Sequence, residues 1–192
     1  MLEGIDGAGT TTQSRILVDR IRELGFKAVL TGEPSDGPIG SLIRKILKGE
    51  ISAGEDVLAL LFAADRLHHI ESFRDHLKDS FVVSDRYVLS SLAYQGSRLP
   101  LEWVASINSR AIPPDLVIII DVDVDVALSR ISNRPRIKEK FENKEDLAKI
   151  RSIFLDLADR YGAFVVDGNR PVEEVSQDIW NLFKGWAGVV DD

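Results

Sequence analysis

The run Gly4-Ile5-Asp6-Gly7-Ala8-Gly9-Thr10-Thr11-Thr12 interleaves glycines with small residues and ends in hydroxyl side chains. Glycines let successive backbone N–H groups turn inward on an anion, and a helix opening directly after them adds the partial positive charge of its N-terminus. That is phosphate chemistry. In the pattern G-x-x-x-x-G-K-[S/T] a lysine reaches the β- and γ-phosphates and a hydroxyl ligates magnesium. Here Thr11 stands at the hydroxyl position and Thr10 at the lysine position. The loop therefore offers backbone donors, a hydroxyl for Mg2+ and the acidic Asp6, but lacks one point charge. Arg15, one turn into the helix, or a basic residue further along the chain is the candidate replacement. For the loop taken alone, a ligand-free turn between strand and helix is the other reading.

A second constellation follows the apolar run Phe81-Val82-Val83: Ser84-Asp85-Arg86-Tyr87-Val88-Leu89-Ser90-Ser91-Leu92-Ala93-Tyr94-Gln95-Gly96. A carboxylate and a guanidinium at the carboxyl end of a parallel strand suit a metal-bound anion. Asp85 is the candidate metal ligand beside Thr11, and Arg86 can fork onto phosphate oxygens. In isolation the pair could equally be a local ion pair.

D-R-Y followed by S-S-x-A-Y-Q-G after a hydrophobic strand closely resembles the thymidylate kinase family of nucleoside monophosphate kinases. The resemblance runs from Glu3 to about Phe183 in family order, and it implies transfer of the γ-phosphoryl of ATP to dTMP with Mg2+. It implies site roles too. The stretch Leu60-Leu61-Phe62-Ala63-Ala64-Asp65-Arg66 matches the base-binding helix, with Phe62 stacking on thymine and Arg66 hydrogen-bonding its edge. Ser91 and Tyr94 fall where the family reads the base and blocks a 2′-hydroxyl, and Gln95 joins them. Glu33 and Pro34 retain part of the family's T-R-E-P, whose arginine is here Gly32. Arg44 matches an arginine used on the acceptor phosphate, and Asp6 matches the acidic loop residue. The segment 134–142 resembles a short basic lid closing over ATP, with Arg130, Arg134 and Arg136 as its cations, and 166–171 resembles the loop that holds adenine. Asp6, Arg86, Arg134 and Arg136 are thus the implied catalytic set, and a homodimer packed through helices is implied as well. Two rivals stay open: a nucleotide-binding pseudoenzyme, motivated by Thr10 and Gly32, and a kinase for another deoxynucleoside monophosphate such as dUMP.

The elements that must position these residues read as an α/β protein. Apolar runs at 28–30, 81–83, 116–120 and 163–166 alternate with helical patterns, which predicts a parallel sheet with strands buried on both faces. Ile16, Leu17, Ile21 and Leu24 fall at helical spacing, as do Ile39, Leu42, Ile43, Ile46 and Leu47, and further helices are predicted to span about 55–73, 124–133, 144–160 and 172–183. The strand ahead of the first glycine loop has only Met1, Leu2 and Glu3. The expected whole is a three-layer P-loop kinase fold with a five-stranded parallel sheet, forming one domain over residues 1–192.

Composition narrows the function classes. A net charge of −7 argues against a surface built for a nucleic acid polymer. The absence of cysteine excludes disulfides and thiol catalysis. No apolar run approaches membrane-spanning length, so a cytoplasmic protein acting on the small anions ATP and dTMP is expected.

Overall fold

In the computed structural model, residues 1–133, 141 and 143–189 are described. Five strands, β1 (Leu2–Glu3), β2 (Ala28–Gly32), β3 (Phe81–Asp85), β4 (Ile118–Asp121) and β5 (Phe164–Asp167), pair in parallel in the order β2-β3-β1-β4-β5. Parallel pairing requires crossovers, and helices supply them: α1 (Thr10–Glu23), α2 (Pro38–Leu47), α3 (Glu55–Phe73), α4 (Val88–Tyr94), α5 (Leu101–Ile107), α6 (Val124–Ser132), α7 (Lys144–Tyr161) and α8 (Val172–Ala187). A single 3-10 turn, Arg74–Lys78, follows α3.

Right-handed crossovers that run in opposite directions along a sheet lie on opposite faces. α1 connects β1 to β2 towards one edge, whereas α4 and α5 connect β3 to β4 towards the other. α1 accordingly packs with α8, and α4 packs with α7. The core between these layers is apolar, with Leu2, Ile118, Ile119 and Ile120 at most 1% exposed.

This winding places the site. β1 and β3 are neighbours whose outgoing chains diverge, and a crevice opens at the carboxyl ends of strands where the direction of winding reverses. Leu2 of β1 stands opposite Asp85 of β3, so the glycine loop after β1 and the Asp85-Arg86 turn after β3 leave the sheet side by side. Gly7 is needed there. Its φ is 87°, and a Cβ would lie 2.5 Å from the Ala127 carbonyl oxygen of α6.

Three expectations need correction. The apolar runs at 28–30 and 163–166 are not covered on both faces: Leu30 is 38% exposed, and Phe164 and Val165 are each 48% exposed. β2 and β5 are the sheet edges, and an apolar run does not distinguish an edge from a centre. Leu24 and Leu42 keep helical spacing but remain exposed. α4 and α5 have no counterpart among the predicted helices, because each is only 7 residues long. The true centre is β1, two residues long, flanked by β3 and β4.

Candidate active site

The glycine loop caps α1 through Gly9, whose φ of 98° turns the chain into the helix without a side-chain cap. The first N–H groups of α1 are thereby left for an anion. From that first turn the Thr11 hydroxyl donates to Asp85 Oδ2 at 2.5 Å. The other oxygen, Asp85 Oδ1, is buried without a hydrogen-bond partner among the described residues. Thr11 and Asp85, drawn from distant segments, therefore meet as a pair of hard oxygen donors.

Arg86 is held in a strained backbone conformation, with φ 68°. A non-glycine residue in that region costs about 1–3 kcal/mol and persists only where its surroundings fix it. They do so here. The Arg86 N–H donates to Leu2 O at 2.9 Å, Nη1 to Gly4 O at 2.7 Å, and Nη2 to Asp6 Oδ1 at 2.8 Å. Burial opposes the charge on Arg86, but the carboxylates of Asp6 and Asp85 beside it favour the charge, and its pKa stands above the ordinary value. The guanidinium is a fixed cation joining the glycine loop to β3. Its planar group also lies 5.2 Å from the Tyr94 ring centroid, and the Tyr94 hydroxyl accepts from the Asp6 N–H at 2.9 Å. Burial pushes the Tyr94 phenol up, so it stays neutral.

A cavity of about 110 Å³ opens beside this cluster, and its walls include Asp6, Phe62, Arg66, Arg86, Tyr94 and Phe141. Glu33, Pro34, Ser91 and Gln95 also line it. The peptide bond between Glu33 and Pro34 is cis. Behind the wall Arg66, 1% exposed, donates through Nη2 to Glu33 Oε2 at 2.5 Å and Ser91 Oγ at 3.0 Å, and through Nη1 to Asn108. A charge buried so deeply is tolerated only when paired and hydrogen-bonded. Arg66 Nε, Gln95 Oε1 and Glu33 Oε1 nevertheless remain buried and without a hydrogen-bond partner among the described residues. They are the polar groups of the cavity with capacity left for a ligand.

Most of the substrate residues read from the sequence thus converge, but Arg44 does not line the cavity. Its Nη1 donates to Pro34 O at 2.8 Å, and Asp36 lies 3.5 Å from Nη2. On the donor side Arg130 donates to Gly7 O at 3.3 Å and Gly168 O at 2.9 Å, tying the glycine loop to the 167–171 turn. Ile5, Ala8, Thr10 and Thr12 belong to the loop and first turn as expected, with Thr10 buried and Thr12 exposed. Arg134 and Arg136 lie outside the described residues, as does most of the predicted lid.

Sequence reasoning missed several contributors. Glu3, fully buried, accepts from the Tyr87 N–H at 2.9 Å and the Ser90 hydroxyl at 2.5 Å, and so fixes the turn that carries Arg86. Burial raises its carboxyl pKa against the lowering effect of Ser90 and Arg86. A glutamate in an otherwise apolar central strand was the available signal. Phe141 is read in the sequence as part of a basic lid, yet its ring stands 5.5 Å from Tyr94 in an edge arrangement. No spacing rule reaches Asn108.

Comparison with known proteins agrees with this geometry. The family model for thymidylate kinase matches residues 2–179. A probable thymidylate kinase of Methanocaldococcus jannaschii is 40% identical over 186 residues, covering 96% of this chain and 94% of the relative. One from Methanobrevibacter smithii is 38% identical over 195 residues, covering 100% and 97%. A third, from Caldivirga maquilingensis, is 37% identical over 190 residues, covering 97% and 93%. With a glycine loop, a fixed arginine and a cavity brought to one switch point of the sheet, and with these full-length matches, the chain belongs to the thymidylate kinase family.

Proposed function

We propose that the protein transfers the γ-phosphoryl group of ATP to dTMP, giving dTDP and ADP for dTTP synthesis. One observation carries the reading: Arg86 is shared between the glycine loop, through Gly4 and Asp6, and the cavity that holds Phe62 and Tyr94. A single fixed cation so placed faces both the donor and the acceptor phosphate. Phosphoryl transfer needs mainly such positioning and charge neutralisation. Phe62 offers a stacking surface, Arg66 and Gln95 read the base edge, and Tyr94 and Ser91 close the cavity against a 2′-hydroxyl. The acceptor oxygen of a monophosphate is already ionised, so no strong general base is required. Asp6 orients Arg86. Arg44 would reach the acceptor phosphate by releasing Pro34 O. Arg134 and Arg136 are assigned to the donor phosphates by family resemblance.

Mg2+ is the fitting metal. Thr11 and Asp85 present oxygen donors, one of them an orphaned buried carboxylate oxygen, and hard oxygen sets favour magnesium over softer ions. Bound there with ATP, the ion would neutralise charge on the phosphates.

Among the described residues no helix is long and apolar enough to cross a membrane. The proposed setting is the cytoplasm and the proposed assembly a homodimer. α3 supports the latter with Val57 and Leu60 each 50% exposed and Leu67 40% exposed.

The test is an ADP-release assay with ATP and Mg2+ against dTMP, dUMP and dGMP. Turnover is expected with dTMP above dUMP and none with dGMP, since a cavity that Phe62 and Arg66 shape for a pyrimidine should not admit a purine. The Thr10 substitution favours one second reading, a nucleotide-binding protein without transfer. Silence with every acceptor, together with measurable dTMP binding, would establish that alternative.

A further inference from the structure

The phosphate loop reaches its helix without a lysine, and the replacement, Thr10, is 5% exposed and carries no charge. Arginines near the loop differ in how far they are committed. Arg86 is occupied by Gly4 O, Asp6 and Ser90, and Arg130 by Gly7 O and Gly168 O. Arg15 is different: it makes no hydrogen bond or ion pair with any described residue.

Arg15 lines an open cleft of about 410 Å³ together with Thr11, Gly32, Glu33 and Asp85. Thr11 and Arg15 are four residues apart on α1 and therefore share one helix face. Side chains on a helix lean towards its N-terminus, so Arg15 projects over the turn that carries Thr11. Position 32, which also lines the cleft, is glycine, and a Cβ there would lie 2.9 Å from Asp85 O. An uncommitted guanidinium thus shares a cleft with Thr11 and Asp85, the hydroxyl–carboxylate pair proposed above to hold magnesium. Unpaired beside three carboxylates, those of Glu33, Asp36 and Asp85, it is not serving as a surface ion pair.

Resting on the kinase reading above, we infer that Arg15 binds the phosphate chain of ATP and supplies the positive charge that position 10 lacks. Guanidinium suits the task, since it forks onto phosphate oxygens and never deprotonates at working pH. The site is on the exposed face of α1, so its removal leaves the core untouched.

The experiment compares wild type with Arg15→Met, Arg15→Lys and the double variant Thr10→Lys/Arg15→Met, measuring kcat and KM for ATP and dTMP separately and ATP affinity by calorimetry. Loss of one preorganised cation costs roughly 10²–10³ in rate. Arg15→Met should lose at least about 10²-fold in kcat/KM for ATP on that scale, with the KM for dTMP little changed. Arg15→Lys should fall between, and Thr10→Lys should restore activity in the Arg15→Met background by more than it helps wild type. Wild-type-like kinetics for Arg15→Met would overturn the inference, as would an equal rise in both KM values with no rescue. Should wild type itself prove silent, the kinase reading fails separately. Calorimetry then decides, because weakened ATP binding by Arg15→Met upholds the phosphate role and unchanged binding removes it.

Discussion

At the scale of single residues the site is governed by two arginines with different duties, Arg66 buried and Arg86 partly exposed. Arg86 faces the ligand side, whereas Arg66 bonds chiefly to protein, joining Glu33 of the β2 end, Ser91 of α4 and Asn108 after α5. Removing one partner of a buried pair is costly because the other charge is left without compensation, about 3–5 kcal/mol in typical cases. Arg66→Met is therefore expected to destabilise the protein by several kcal/mol, read as a fall in the urea unfolding midpoint. The diagnostic comparison is Arg66→Met with Glu33→Gln. With the Glu33 carboxylate neutralised, the methionine should cost clearly less than it does alone, a non-additivity that a simple cavity would not produce. Equal costs in both backgrounds would mean that packing, not the ion pair, holds this wall.

At the scale of elements the decisive junction is β1 against the β3–α4 turn. β1 contributes one side chain to it, Glu3, whose buried carboxyl is held above its ordinary pKa of 4.5. An acid raised in the folded state prefers to remain protonated there. Its favourable contribution is complete below about pH 4.5 and declines as pH rises from that value through the folded pKa. Glu3→Gln keeps an oxygen for the Tyr87 N–H and cannot ionise. Its stability relative to wild type should rise between pH 4.5 and 7, measured by urea titration at several pH values. A gap that is flat with pH, or one that closes, would show that Glu3 ionises in the fold without penalty. The same elements show what the sequence made legible. α3 keeps its predicted span of 55–73, with charged Glu55 and Asp56 in its first turn. α4 was invisible because it is only 7 residues long and Leu89, Ser91, Leu92, Ala93 and Tyr94 are buried, leaving too short a pattern for periodicity to detect. The motif residues of the site could be read because each sits where its backbone context is local. Glu3, Asn108 and Phe141 could not, since their roles exist only once segments far apart in sequence have packed.

At the scale of the whole molecule α3 joins the candidate cavity to the outer surface. With 3.6 residues per turn, Val57, Leu60 and Leu67 fall on one stripe, and Phe62 and Arg66 lie about half a turn away. The inner face is anchored by Arg66 and by Leu58, which is fully buried, while the outer stripe is apolar and open. A symmetric pair of such stripes would bury each other, since a two-fold interface uses the same patch on both copies. Burial at about 25 cal/mol per Å² makes a large exposed leucine a useful anchor for that contact. Leu60→Glu is therefore expected to convert a dimer into a monomer in light scattering after gel filtration. Because the interface would brace the helix that presents Phe62, the monomer should also show a raised KM for dTMP with the KM for ATP little changed. A wild-type monomer, or a Leu60→Glu dimer of undiminished stability, would detach this stripe from assembly. If the monomer keeps its dTMP affinity, the contacts of the inner face of α3, those of Arg66 and Leu58 among them, hold it without the interface, and the two sides of the helix act independently.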